Sequence, residues 1–294
     1  MPSLIDIRRR IRSVKNTQQI TRALKMISAA KLRRAQERVV AARPYSAMLR
    51  ETLANLAAAV AGDDAAAESP LLARREEKRI LLILLTSDTG KAGAFNANLT
   101  RAGQRFIDER KPAASVEVVA IGRRGLDFFR KREYAIAGEY IHILKTIEFS
   151  NARAIAHNAI DRYSRGEIDA VYIINSEFKS VLSQKVMEHR VLPVDLPEAN
   201  PQNPPEQAAR DYIFEQPPLQ MLEHLLPRFV EAAVYQAMLE TAAGEHAARM
   251  TAMDAATTNA GDVIDSLTLT MNRARQAAIT KEIIEVVSGA AAGE

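Results

Sequence analysis

The last 50 residues of the chain constrain the fold most. From Met250 a stripe runs Met250, Met253, Thr257, Ala260, Ile264, Leu267, Met271, Ala274, Ala278, with steps alternating between three and four. Only Thr257 in it is not apolar. Such a stripe is the seam of a coiled coil, one narrow face turned to a partner helix. Its residues are mostly small or flexible, so the partner can approach closely. A long seamed helix at one end of a chain requires a second long helix.

The other end supplies one, from about Leu4 to about Val60. Steps of four and three pick out Ile7, Ile11, Val14, then Leu32, Ala35, Val39, and later Leu49, Leu53, Leu56, Val60. Between them the same positions are polar (Gln18, Thr21, Lys25, Ser28), while Ile20, Leu24 and Ile27 offer an apolar alternative. The apolar stripe is therefore expected to wander round the helix there, as when a 3.6 period meets a 3.5 period. Ser3 suits an N-cap, with Asp6 at N3 favoured by the helix dipole. Pro44 is expected to kink or interrupt the helix, and Pro227 to bend the C-terminal one. About 55 helical residues span roughly 80 Å and about 70 span roughly 105 Å. A domain made of the middle ~150 residues has a radius of gyration of only ~15 Å, too small to contain either helix.

Charge separates the two ends. Residues 1–50 hold thirteen Lys and Arg against two acids, Asp6 and Glu37, a net +11, whereas 218–294 hold five bases against ten acids, a net −5. Opposite charge favours pairing of the two helices and suppresses self-pairing of the basic one. The basic clusters, Arg8–Arg10 with Arg12 and Lys15, and Arg33, Arg34 and Arg38, also admit contacts to nucleic-acid phosphates. No aromatic residue precedes Tyr45, however, so a base-stacking platform is missing and a solvated or protein-facing surface is the simpler reading. There is no cysteine, which excludes disulfides, thiol catalysis and cysteine metal sites. No apolar run reaches the ~18 residues of a membrane span, and the start MPSLIDIRRR has no signal-peptide core, so secretion is not expected.

The middle of the chain alternates strands and helices. Arg79–Thr86, Val116–Ile121 and Ala170–Asn175 read as buried strands, with Tyr140–Leu144 as an edge strand at best. Helices are expected at Asn96–Arg110, near Gly125–Arg132 and at Ser150–Ser164, the last capped by Ser150. Residues 177–194 suit a hairpin, and Pro217-Pro218 opens the last helix. This pattern implies a parallel α/β sheet covered on both faces. The expected division is 1–60 first helix, 61–78 linker, 79–216 α/β domain, 217–294 last helix.

Chemistry is sparse. The turn Ser87–Asn96 (SDTGKAGAFN) follows a strand and opens a helix, where phosphates bind in other folds. It fails the Walker pattern, because Leu85 stands where the first Gly belongs and Ala92 follows Lys91. It also fails the dinucleotide pattern, with Ala92 and Phe95 at the glycine positions. A structural turn is expected. The five histidines, His142, His157, His189, His224 and His246, have no metal-ligand spacing, and no nucleophile–base constellation is present.

The segments IRRRIRSVKNTQQITRALKMISAAKLRRAQ and EHAARMTAMDAATTNAGDVIDSLTLTMNRARQAAITKEIIEVVSGAAA resemble the gamma subunit of F-type ATP synthase, bacterial type. The order of long helix, α/β domain and longer helix resembles that family across the whole chain. The resemblance implies a long antiparallel coiled coil of the two terminal helices plus a central Rossmann-like parallel α/β domain. It implies the central rotor shaft of a proton-translocating complex, with no catalytic site, cofactor or metal of its own. The implied partners are three alpha and three beta subunits around one such shaft, the epsilon subunit and the c-subunit ring. Nucleic acid is not among them, and the membrane is met only through the Fo sector, at the cytoplasmic face of a bacterial plasma membrane.

The resemblance also assigns residues. Arg275, Gln276 and Thr280 match positions that meet the beta-subunit catch loops. Leu24 and Lys25 match the shaft facing the beta levers, with Leu24 where the family commonly has Met, a swap of similar volume. Tyr212 and Phe214 match the foot near epsilon and the c ring. The uncharged tip from Val286 to Gly293 would turn inside an apolar sleeve. The chain departs from the family at Thr89, Lys91, Ala92 and Ala94, where SDRGLCGGFN is common, so family contacts are not carried to that turn. It also lacks the two-cysteine insertion of the chloroplast form.

Overall fold

A computed structural model describes residues 3–60, 69–195 and 216–291. Its elements in chain order are α1 (Leu4–Ala59), β1 (Arg79–Leu85), α2 (Phe95–Arg110), β2 (Ser115–Ile121), α3 (Arg123–Arg130), β3 (Ile136–Tyr140), α4 (Phe149–Ser164), β4 (Ala170–Phe178), β5 (Gln184–Leu192) and α5 (Pro218–Ala291). The chain divides into two compact units, one of Met1–Ala29 with Arg249–Glu294, the other of Ala30–Ala248.

The larger unit is built on a five-stranded sheet of order β3-β2-β1-β4-β5. β1 pairs in parallel with β2 and with β4, and β2 with β3. A central strand covered on both faces has no solvent side, which is why RILLILL is apolar without alternation and buried everywhere but Arg79. β5 returns antiparallel along β4, from Phe178↔Gln184 to Val171↔Leu192, so the sheet is mixed. The hairpin expected at 177–194 thus uses β4 itself as its first strand, extended to Phe178. On one face Leu82, Leu84, Leu99, Phe106, Val118 and Phe129 form the core.

Several local expectations are corrected. The weak strand is Ile136–Tyr140 rather than Tyr140–Leu144. His142 has φ 66, outside the extended region, so the strand cannot continue. Glu148, not Ser150, occupies the N-cap of α4. Ser150 Oγ donates instead to the Glu148 carboxylate at 3.3 Å. Neither proline interrupts its helix. The carbonyls they deprive of a donor belong to Val40 and Glu223, both exposed, so water can satisfy them. Ser3 does cap α1: its Oγ accepts the Asp6 N–H at 3.2 Å and donates to the Asp6 carboxylate at 2.8 Å.

The stripe along α1 does not wander. Ile20 and Ile27 are exposed, whereas Thr21 and Ser28 are buried and Gln18, Leu24 and Lys25 part-buried. The four-and-three rhythm from Ile7 through Val14, Thr21, Ser28 and Leu32 to Val60 therefore stays on the covered face. A hydrophobic count favours Ile20 and Ile27, but two helices in close contact need small side chains that can bond across the seam.

Candidate functional site

In the smaller unit, the N-terminal part of α1 lies against the C-terminal part of α5. Gln18 Nε2 donates to the Thr257 carbonyl at 3.3 Å, the Thr21 and Thr257 hydroxyls are 2.8 Å apart, and Lys25 Nζ meets the Asp254 carboxylate at 2.6 Å. Numbers rise along α1 as they fall along α5, so the pair is antiparallel. Thr257, the single polar residue of the α5 stripe, faces the polar stretch of α1, so each side's exception satisfies the other's. A Cβ on Gly261 would sit 3.3 Å from Gln18 Nε2, which marks how close the backbones come. Met253 and Ala260 are buried, while Met250, Ile264, Leu267, Met271, Ala274 and Ala278 are part-buried.

This register fixes where the pair ends. With equal rise in both helices, Leu4 at the start of α1 stands opposite about residue 274 of α5. The rest of α5, roughly 17 residues or about 25 Å, runs on without α1 beside it. Ile279, Ile283, Ile284, Val286 and Val287 are accordingly exposed, the last two at 72% and 62%. Arg275 and Gln276 begin this overhang. Both are exposed and form no ion pair or side-chain hydrogen bond among the described residues. Thr280 is exposed, and its hydroxyl donates to the Gln276 carbonyl at 3.0 Å within the same helix. Lys25 is divided between roles, since its ammonium is drawn to Asp254 while its side chain stays 40% exposed. Leu24 is part-buried. Tyr212, Phe214 and the very tip lie outside the described residues or side chains. The other basic residues, Arg8, Arg9, Arg10, Arg12 and Lys15, are exposed.

The Ser87–Asn96 turn belongs to the larger unit and is closed on itself. Asn96 Oδ1 accepts the Ser87 N–H at 2.9 Å, and Ser87 Oγ donates to the Thr89 carbonyl at 2.6 Å. Asp88 accepts N–H groups from Arg123, the first residue of α3, and from His142, each at 3.1 Å. Open α/β sheets bind ligands outside the carboxyl ends of their strands, where strand order reverses, here between β1 and β4. That crevice is filled by α5. A Cβ on Gly244 would lie 2.8 Å from Ser176 Oγ and 3.3 Å from Phe95, and Glu245 takes a hydrogen bond from Thr89 at 3.4 Å.

The histidines are scattered. His157 Nε2 lies 2.7 Å from the buried Glu231, which Arg228 also approaches at 3.0 Å, a clamp between α4 and α5. His189 is half-buried, and desolvation pushes its pKa below the usual imidazole value. Among the described residues no group of three or more His, Cys, Asp or Glu is placed to hold a metal ion. No described helix is long and apolar enough to cross a membrane. The unpaired overhang of α5 is the feature sequence reasoning left undrawn. It could have been found by aligning the two stripes on Thr21 and Thr257 and counting to the start of α1.

The chain thus combines a mixed α/β unit with a unit in which two terminal helices pair antiparallel and the longer outruns its partner. The family model described as ATP synthase matches residues 3–292. The ATP synthase gamma chain of Solibacter usitatus is 61% identical over 295 residues, covering 100% of both chains, and that of Pelotomaculum thermopropionicum is 48% identical, again over 100% of both. Among solved structures, a chain of the Euglena gracilis mitochondrial ATP synthase OSCP/F1/c-ring assembly superposes with TM-score 0.67 at 19% identity, over 98% of this chain and 94% of that one. A chain from the central stalk and c ring of the Tetrahymena thermophila enzyme gives 0.58 at 23% identity, over 81% and 99%. The chain belongs to the ATP synthase gamma-chain family. Nothing in these relatives supports nucleic-acid binding.

Proposed function

We propose that this chain is the central rotor shaft of a proton-translocating ATP synthase. One copy stands within a ring of three alpha and three beta subunits, and its α/β unit is held by epsilon and the c-subunit ring. Similarity to bacterial gamma chains over the full length supports this assembly, and its proposed setting is the cytoplasmic face of the plasma membrane. The single observation that carries the mechanism is the solitary end of α5, which begins with Arg275 and Gln276. Side chains on a lone helix present a different face in every direction. Rotation then brings different contacts to each surrounding subunit, and an equilibrium shifts only by the difference in contact energy between its states. Arg275, Gln276 and Thr280 are the proposed grips on the catch loops, with Leu24 and Lys25 facing the beta levers. Tyr212 and Phe214 are the proposed foot contacts. The chain works as a non-catalytic subunit, a reading supported by α5 filling the crevice where a nucleotide would bind.

The test is native mass spectrometry after co-expression with alpha and beta subunits from a close relative, with ATPase assays in parallel. One copy of this chain in an assembly of three alpha and three beta, with activity that depends on it, is expected. A ring whose activity is the same without the chain would remove the proposal.

A further inference from the structure

The larger unit contains a cavity of about 380 Å³ that rotation does not use, bounded by the second half of α1, the β4–β5 hairpin and the first half of α5. Its volume is in the range of small-molecule sites. Much of the wall is apolar, from Leu49, Met187, Phe229 and Ala237. The polar lining holds Arg50, Arg190 and His189 as well as Glu177 and Glu240. Asn175, 2% exposed, has a side-chain carbonyl oxygen with no hydrogen-bond partner, and so does Gln236. The Gln236 amide is oriented by its Nε2, which donates to Glu240 at 2.7 Å, leaving its oxygen the orphan. Glu240 has no cation at ion-pair distance among the described residues. Burial raises its pKa, Glu177 adds in the same direction, and Gln236 and Arg43 oppose.

Two orphan carbonyl oxygens call for donors, since a buried acceptor left unsatisfied is costly, and the adjacent Glu240 carboxyl, whose hydrogen bond comes from Gln236, adds a site for a cation. The nearby cations do not supply them. Arg190 spends its Nη groups on Asp195 at 2.7 Å and on Glu77. Its Nε has no partner, but one N–H cannot serve both orphan carbonyls. Arg50 is exposed, and desolvation makes half-buried His189 resist taking up a proton. We infer that this cavity binds a small amphipathic organic cation, with an ammonium or amidinium head at Asn175, Gln236 and Glu240 and a hydrocarbon body along Leu49, Met187 and Phe229. An occupant touching α1, the hairpin and α5 at once would tie these elements together and stabilise the folded chain by mass action. The inference stands independently of the rotor reading.

The experiment uses the full chain with ¹³C-methyl methionine, the Met187 signal being assigned through Met187→Leu. Hexylammonium chloride, 1-hexanol and sodium hexanoate are titrated in turn. Hexylammonium is expected to shift the Met187 signal saturably, at least tenfold more tightly than the other two. Glu240→Gln should weaken it about tenfold, and Ala237→Leu, which fills the cavity, should abolish it. Ala233→Leu serves the same purpose if Ala237→Leu does not fold. No saturable shift, equal binding of hexanol or hexanoate, or undiminished binding in the filled variant would each overturn the assignment.

Discussion

Asp169 shows how one side chain ties the ends of two strands. It sits just before β4 and is buried, and its Oδ2 accepts the Arg79 N–H at 2.8 Å and the Lys78 N–H at 3.3 Å. The Arg79 guanidinium closes on the same carboxylate, with Nη2 at 2.8 Å from Oδ1. The hydrogen bond from Arg79 is the main reason its pKa falls below the ordinary Asp value, against an opposing desolvation. A carboxyl whose pKa is lower folded than unfolded adds stability that is full above the unfolded value of about 3.9 and is lost as pH falls through the folded value. Asp169→Asn is expected to cost about 2 kcal/mol at neutral pH, the scale of hydrogen bonds to a charged group, and to flatten the fall in urea midpoint as pH drops below about 4. An unchanged acid slope would show that other carboxyls carry it. The role of Asp169 was illegible in the sequence, because an Asp before an apolar strand reads as a turn residue until its partner 90 positions away is known. Gly122 is hidden in the same way: its φ of 94° and a would-be Cβ only 2.1 Å from the Thr86 carbonyl oxygen require glycine, and no local motif announces it.

At the scale of elements, the long helices and the buried strands were legible, because their periodicities persist over many residues. What misled was the centre of the α1 stripe, where hydrophobicity favoured Ile20 and Ile27 and packing favours Thr21 and Ser28. Size settles it, since a seam this close admits hydroxyls and excludes long aliphatic chains. Ser28 is 2% exposed. Ser28→Leu is therefore expected to destabilise the full chain by about 2 kcal/mol through overpacking. The double change Thr21→Val with Thr257→Val removes both facing hydroxyls at nearly constant shape, so it should leave the melting temperature unchanged or raise it. Thermal unfolding followed by circular dichroism reads both. A Ser28→Leu chain as stable as the parent would mean the seam has room, and the account of Ile20 and Ile27 would fail with it.

For the whole molecule, the question is how a shaft of the proposed kind could govern a reaction carried out on neighbouring subunits. The helix pair extends only as far as Leu4, and beyond it α5 continues alone, its exposed isoleucines and valines interspersed with Arg275, Gln276, Lys281, Glu282 and Glu285. A lone helix about 25 Å long is marginal in water, so the overhang depends on surroundings that cover its isoleucines and valines. Within such a sleeve an apolar surface slides with little angular preference, because dispersion contacts are weak and numerous. Directional charge-assisted bonds are different: they form at some angles and break at others, which on the proposed function would distinguish one surrounding subunit from the next. Arg275 and Gln276 sit where the paired shaft gives way to the apolar end, so they are the first groups on the overhang able to make such bonds. Replacing both by alanine is expected to lower coupled ATP turnover about tenfold, the effect of about 1.4 kcal/mol on a barrier. Native mass spectrometry should still find one shaft per ring, since the apolar surface that holds it is untouched. If turnover is unchanged while assembly persists, the grip lies elsewhere on the shaft, and Lys25, half-exposed beside Asp254, becomes the next residue to change.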